Sequence, residues 1–341
     1  MKKIAFHVSN LVFGNNKMFE LDDPILNRDN GRHQFYELRK CFKVNGYDLV
    51  THDMVNLHDV DAVIYYNVPK EEKELNDNEN NLLLFLESKH VRPDNYNLKR
   101  HVKYKRIFTN CDDFIDNERY YKVNYSYDIP ISIPRNIENK TKEFALIAGN
   151  KSRLGKNSGL KARRNVLDWF EKYEPGDIDL YGKDWNKYIF PKIKGIRRLN
   201  RIDKLQELFG PNYSFYKGMI DSKYDILTKY KFSFTYENVL DIEGYITEKI
   251  FDSFFAGCVP VYRGASNIDK YIPENCFIDE RKFNDYSKLH KYLKSMDDNQ
   301  YKDYLNNIEL FLNSDKSEQF RSSYFANVIV RETLKIINGD D

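Results

Sequence analysis

Short apolar runs of strand length recur along the chain, separated by helical or polar stretches, and the whole pattern starts over near its middle. In the first half KIAFHV (3 to 8), YDLVTH (47 to 52), DAVIYYN (61 to 67), LLLFLE (82 to 87) and RIFTN (106 to 110) read as strands. FYELRKCFKVNG (35 to 46) reads as a helix ending at Gly46. Strands alternating with helices predict a parallel α/β sheet. The stretch 117 to 142 carries two prolines and no sustained period, which marks it as the connection between domains. The rhythm then resumes with FALIAG (144 to 149), the helix ARRNVLDWFEKY (162 to 173), DIDLYG (177 to 182) and YKFSFTYEN (230 to 238). The amphipathic helix in YITEKIFDSFFAG (245 to 257), VPVYRG (259 to 264) and CFID (276 to 279) follow, and the last 40 residues read as helical.

A chain of 341 residues has room for two such domains, each with its own core. Ligands of open parallel sheets bind outside the carboxyl ends of the strands, so two facing α/β domains predict an interdomain cleft. The formal net charge of +2 argues against a nucleic-acid partner. Cys41, Cys111, Cys258 and Cys276 are too scattered for CxxC or metal-ligand spacing and read as reduced structural thiols. MKKIAFHVSNLVFG has the lysines of a signal peptide, but His7, Ser9 and Asn10 interrupt its apolar patch. It reads as a first core strand. No segment approaches the ~18 apolar residues that cross a bilayer. The expected location is cytoplasmic, peripheral at an inner membrane, with the basic and aromatic C-terminal segments as the weak contact.

Polar residues at strand ends therefore carry the most weight. Glu87 ends LLLFLE, where partial desolvation raises a carboxylate's pKa and suits it to accept a proton; a salt bridge to Lys89 or Arg92 is the plainer alternative. Glu237 and Asn238 end YKFSFTYEN, just before a helix whose first turn holds Thr247, Glu248 and Lys249. Helix N-termini hold phosphate well, and Lys249 adds a full charge. Glu248 repels phosphate but can accept hydrogen bonds from sugar hydroxyls. Alternatively Glu248 complements the helix dipole and Lys249 is solvated. Arg163 and Arg164 open the other helix, where one of them calls for an anionic partner, either a phosphate or a neighbouring carboxylate.

Three other signals are set aside. GNKSRLGK (149 to 156) has the wrong glycine spacing for a phosphate loop and Asn157 in place of the hydroxyl. Asp59-Val60-Asp61 and Asp177-Ile178-Asp179 imitate a DxD metal triplet, but each runs straight into an apolar strand. The seven histidines form no HExxH or similar cluster.

The run YKFSFTYENVLDIEGYITEKIFDSFFAGCVPVYRGASNIDKYIP, from Tyr230 to Pro273, resembles the hallmark of glycosyltransferase family 10, the GDP-fucose-dependent α1,3/4-fucosyltransferases. KARRNVLDWFEKY followed by DLYG is similar to the family's upstream arginine, helix and strand; the first half matches only around FLES. The family implies a GT-B architecture of two Rossmann-like domains with an interdomain cleft. The expected division is an acceptor-binding domain over 1–140 and a GDP-sugar domain over 141–341, the final helix packing back on the first. By the resemblance Arg164 contacts the donor phosphates, with Arg163 the lesser choice. Glu237, Asn238, Tyr245, Glu248 and Lys249 fall at donor-binding positions, Lys249 toward phosphate and Glu248 toward ribose or fucose hydroxyls. Glu87 falls where the family's catalytic carboxylate stands, although Lys89 occupies the place of a proline found in many relatives.

The expected reaction is inverting transfer of L-fucose from GDP-fucose to an acceptor hydroxyl, α1,3 to GlcNAc or a related sugar, with no obligatory metal or other cofactor. The expected partners are a nucleotide-sugar donor and an oligosaccharide or glycolipid acceptor. Resemblance to the bacterial or viral type without a membrane anchor points to surface glycans such as lipopolysaccharide O-chains. A same-fold transferase using another GDP-6-deoxyhexose such as GDP-colitose is one alternative, and a non-catalytic nucleotide-sugar or glycan-binding module is another.

Overall fold

The computed structural model describes residues 1–71, 74–150, 157–190 and 195–340. It divides the chain into two compact units. The first holds residues 1–129, 242–246 and 314–341, and the second 130–241 and 247–313.

The first unit is built on β1 (Lys2–Val8), α1 (His33–Val44), β2 (Tyr47–Thr51), β3 (Ala62–Tyr66), β4 (Asn81–Phe85), a short α2 (Leu98–His101), β5 (Arg106–Thr109) and β6 (Tyr120–Lys122). From the far end of the chain α10 (Ser322–Asn338) joins it. The six strands are all parallel, in the order β2-β1-β3-β4-β5-β6. Alternation along each strand sends Ile4, Phe6, Leu82 and Leu84 to one face, where they meet Phe35, Leu38 and Phe42 of α1 and Phe325 and Ile329 of α10. Ala5, Val63, Tyr65, Leu83 and Phe85 fill the other face. Both faces are covered, which is why these strands read as continuous apolar runs. β6 lies inside the stretch that the sequence marks as connection. The aromatic residues of the C-terminal segment are largely core: Phe320 and Phe325 are buried.

The second unit comprises β7 (Lys142–Ile147), α3 (Gly159–Tyr173), β8 (Ile178–Tyr181), α4 (Asp203–Leu208), α5 (Lys223–Leu227), β9 (Tyr230–Tyr236) and α6 (Glu248–Phe255). β10 (Val259–Arg263), α7 (Ile268–Tyr271), β11 (Ile278–Asp279), α8 (Tyr286–Ser295) and α9 (Asp298–Leu312) complete it. Its five strands are parallel in the order β11-β10-β9-β7-β8. From β7 the chain goes outward to β8 on one side, then returns to lay β9, β10 and β11 on the other. The order therefore reverses between β7 and β9, the topological switch point of an open sheet.

The helices that follow these two strands are held by apolar faces. Ala162, Val166 and Phe170 of α3 are buried at helical spacing, as are Ile250, Phe251 and Phe254 of α6. Burial of each large side chain contributes about 1.5–3 kcal/mol, so the polar first turns are carried by the turns behind them. The chain is an α/β protein of two parallel-sheet domains. Among the described residues no helix is long and apolar enough to cross a membrane.

Candidate active site

Two helix N-termini converge on the carboxyl end of β9. That of α3 is docked directly: the Gly159 amide donates to the Asn238 carbonyl at 3.1 Å, and the Leu240 amide to the Asn157 carbonyl at 2.9 Å. Gly159 is where it is because a Cβ there would stand 1.7 Å from the Glu237 carbonyl oxygen, so any side chain would push the helix off the strand. The start of α6 is docked through a side chain. Glu237, fully buried, accepts from the Thr247 amide at 2.8 Å and the Thr247 hydroxyl at 2.6 Å. Thr247 is the N-cap of α6, and its hydroxyl is spent on Glu237 instead of on its own helix.

Lys249 completes this knot. Its ammonium donates to Glu237 Oε2 at 3.2 Å, Thr247 Oγ1 at 2.8 Å and Glu248 Oε1 at 3.2 Å. Burial works against the charged form, but Glu237 and Glu248 outweigh it and raise the Lys249 pKa above the ordinary lysine value. Glu248 is the mirror case: desolvation opposes its charge, yet Lys249 and Lys223 hold the carboxyl well below the usual carboxylate range. Its side chain remains 41% exposed. Lys223 stands 4.0 Å from Glu248 and 2.7 Å from Asp252, one turn further along α6.

The two arginines of α3 part company, as neighbours 100° apart on a helix must. Arg163 is buried; it donates to the Tyr236 carbonyl and, at 3.2 Å, to Asn238 Oδ1. It clamps α3 to the end of β9. Arg164 is half-buried and donates to Asn150 Oδ1 at 3.0 Å. Asn150 presents that oxygen because its amide nitrogen is taken by the carbonyls of Asp184 (2.8 Å) and Lys187 (3.0 Å). The Arg164 Nε–H is buried and finds no acceptor among the described residues. A guanidinium with one N–H left without an acceptor among the described residues, on the helix that follows β7 at the switch point, suits a diphosphate.

The structure thus puts Glu237, Asn238, Glu248 and Lys249 together beyond β9, and Arg164 beside Asn150 beyond the neighbouring strand β7, all in the second unit. Tyr245 and Glu87 belong to the first unit. Tyr245 is buried, in a loop anchored by Gly244. Gly244 has φ +75°, and a Cβ there would stand 2.4 Å from the Asn110 carbonyl oxygen. Around it Lys122 Nζ donates to Asn110 O and to Asp112 Oδ1, both at 2.6 Å, and burial lowers the Lys122 pKa against the pull of Asp112. Glu87 lies two residues beyond β4 instead of ending it, and is partly exposed. Burial first, and then the nearby Glu87 carboxylate, push the Tyr66 hydroxyl well above the usual phenol range. Tyr96 is raised likewise, chiefly by burial, with Cys111 and Glu87 adding to it.

Asn150 and Lys223 are participants that sequence reasoning missed as polar partners of the site, whereas Thr247 reads in the sequence as part of the polar first turn of α6. Asn150 carries a signal, since it follows FALIAG directly at the end of β7. Of the motifs set aside, 151–156 lies outside the described residues. Asp179 pairs with Lys142 at 2.6 Å and Lys217 at 3.4 Å. Asp177 pairs with His290 at 2.7 Å and Lys294 at 3.4 Å. Glu174, Asp177 and His290 offer ligand atoms within 4.8 Å of one another, at the amino end of β8, the far end of the sheet from the switch point.

Residues 137–319, more than half of the chain, match glycosyltransferase family 10 (fucosyltransferase), C-terminal part. The chain belongs to this family. A similar protein is the 4-galactosyl-N-acetylglucosaminide 3-alpha-L-fucosyltransferase 9 of Mus musculus, 34% identical over 119 residues that make up 34% of this chain and 32% of the relative. The GDP-fucose protein O-fucosyltransferase 3 of Xenopus tropicalis is 36% identical over 127 residues, 37% of this chain and 26% of the relative. The family 10 chain therefore spans about a third of the length of one relative and a quarter of the other.

Solved structures share the fold along nearly the whole family 10 chain. An alpha1,3-fucosyltransferase with GDP-fucose superposes with TM-score 0.56 at 16% identity, covering 98% of this chain and 90% of that one. An alpha-glucosyltransferase in complex with UDP-glucose and DNA gives 0.55 at 15%, covering 99% of both. The architecture is GT-B.

Proposed function

We propose that the chain is a GDP-fucose-dependent fucosyltransferase that inverts configuration at the sugar. The observation that carries this is the set at the switch point of the second unit: Arg164, whose Nε–H has no acceptor among the described residues, the Glu237–Lys249 knot and two helix N-termini at the end of β9, all inside the segment that matches the family. In the proposed reaction Glu87 accepts the proton of an acceptor hydroxyl as its oxygen bonds to the anomeric carbon and the bond from that carbon to GDP breaks on the opposite face. Negative charge then grows on the leaving diphosphate. Arg164 and the N-termini of α3 and α6 are oriented for it in advance, which is the condition for electrostatic stabilisation. Asn238, Tyr245 and Glu248 are proposed to orient the nucleoside and fucose hydroxyls.

The proposed acceptor is a glycan carrying N-acetylglucosamine, joined by an α1,3 bond, in line with the mouse relative, a 4-galactosyl-N-acetylglucosaminide 3-alpha-L-fucosyltransferase. The frog relative, a protein O-fucosyltransferase, makes a protein hydroxyl the contrasting acceptor class. Incubation with GDP-fucose, free glycans and folded protein acceptors, read by mass, decides between them. Gain of one deoxyhexose on a glycan, with EDTA present, supports the proposal. No transfer from GDP-fucose to either class, or transfer only from another GDP-sugar, refutes it.

A further inference from the structure

Between β8 and β9 the chain makes an excursion that buries Trp185, Tyr213, Phe215 and Leu227 at its two ends, but the described residues of its middle, between Asn186 and Gly210, are built the other way round. The side chain buried there is an amide. Gln206 is 7% exposed; its Nε2 donates to the Tyr188 carbonyl at 3.2 Å and to Asn200 Oδ1 at 3.1 Å, while its backbone carbonyl accepts the Tyr188 amide at 2.7 Å. Asn200 in turn bonds both backbone groups of Phe190, at 2.8 and 3.0 Å. Lys187 pins α4 through Asp203 at 2.8 Å. The groups left outside are large and apolar: Leu208 is 75% exposed, Phe209 59%, Ile202 50% and Ile196 41%. Single exposed apolar residues are ordinary, but four within fourteen residues around a polar interior reverse the usual arrangement.

Charge separates this patch from an ordinary protein contact. Arg198, Arg201 and Lys204 are exposed among these apolar side chains. Residues 185 to 210 hold seven lysines and arginines but two acids, in a chain whose formal net charge is +2. Phe and Leu beside Arg and Lys is the composition of segments that lie in the headgroup layer, the apolar groups entering the acyl boundary and the cations meeting anionic lipid. We propose that this excursion docks the chain onto a bilayer carrying anionic headgroups. The proposal is independent of the donor and of the transfer reaction.

The test is sedimentation of the intact chain with vesicles, without nucleotide. The vesicles are phosphatidylglycerol with phosphatidylethanolamine, or phosphatidylcholine alone. Binding is expected to the anionic vesicles only and to weaken as salt rises. Replacing Arg198, Arg201 and Lys204 together by alanine should weaken it about a hundred-fold, since each cation near the surface accounts for roughly a five-fold change. The pair Leu208→Gln and Phe209→Gln should also weaken it, and both variants should keep wild-type thermal unfolding because every altered side chain is exposed. Absence of vesicle binding, equal binding by the variants, or wild-type dimers that Phe209→Gln dissociates would overturn the proposal; the last would make a second copy of the chain the occupant.

Discussion

Lys249→Met removes the ammonium that the structure pairs with a buried carboxylate. The substitution keeps much of the side-chain volume but leaves Glu237, which is fully buried, without its cation. Removing one partner of a buried ion pair costs about 3–5 kcal/mol, because the remaining charge stays desolvated. Here Thr247 still donates two hydrogen bonds to the carboxylate, which places the loss near the lower end, about 3 kcal/mol. At roughly 2–4 °C per kcal/mol for a domain of this size, the midpoint of thermal unfolding should fall by about 6–12 °C.

Adding Glu237→Gln should restore part of the stability, because the amide keeps the Thr247 hydrogen bonds and needs no counter-charge. Urea denaturation of the two single variants and the double variant reads both effects. A double variant whose loss is the sum of the two single losses would refute the coupling.

Glu87→Gln should lower turnover by about 10²- to 10⁴-fold with GDP affinity unchanged by calorimetry, and wild-type turnover would remove Glu87 as the base. Arg164→Ala should weaken GDP by roughly 10- to 150-fold, as expected for lost charge-assisted hydrogen bonds, and unchanged affinity would take the diphosphate away from α3. Glu248 has a depressed folded pKa, so its contribution to stability is present above its unfolded value and lost as pH falls through the folded one. Glu248→Gln should accordingly flatten the acid side of the stability profile, and a profile unchanged below pH 4.5 would contradict the pairing with Lys249 and Lys223.

Most strands are legible in the sequence because both faces of each sheet are covered, which writes them as uninterrupted apolar runs. β6 is not, since its three residues are each half-buried and sit in a stretch broken by prolines. Glu87 is displaced for a related reason: Leu86 is as buried as the strand before it, so apolarity alone continues past the last ladder pairing at Phe85. At the site the residue types are legible and the pairings are not. Nothing in KARRNV says that Arg163 donates to the Tyr236 carbonyl and Asn238 Oδ1 while the Arg164 Nε–H finds no acceptor among the described residues. That difference is set by β9 and Asn150, which the fold brings up from elsewhere.

The same limit changes the electrostatics. A lysine in the first turn of α6 reads as a phosphate ligand, but Lys249 and Lys223 face three carboxylates, Glu237, Glu248 and Asp252. This side of the switch point carries more negative than positive side-chain charge, so the ammonium's first effect is to keep Glu237 from repelling an anion. Attraction must then come from the α3 side, where Arg163 and Arg164 stand, and from the helix ends themselves. If that account holds, GDP binding should survive in the Glu237→Gln, Lys249→Met double variant better than in Arg164→Ala. The reverse order would place the diphosphate on the start of α6.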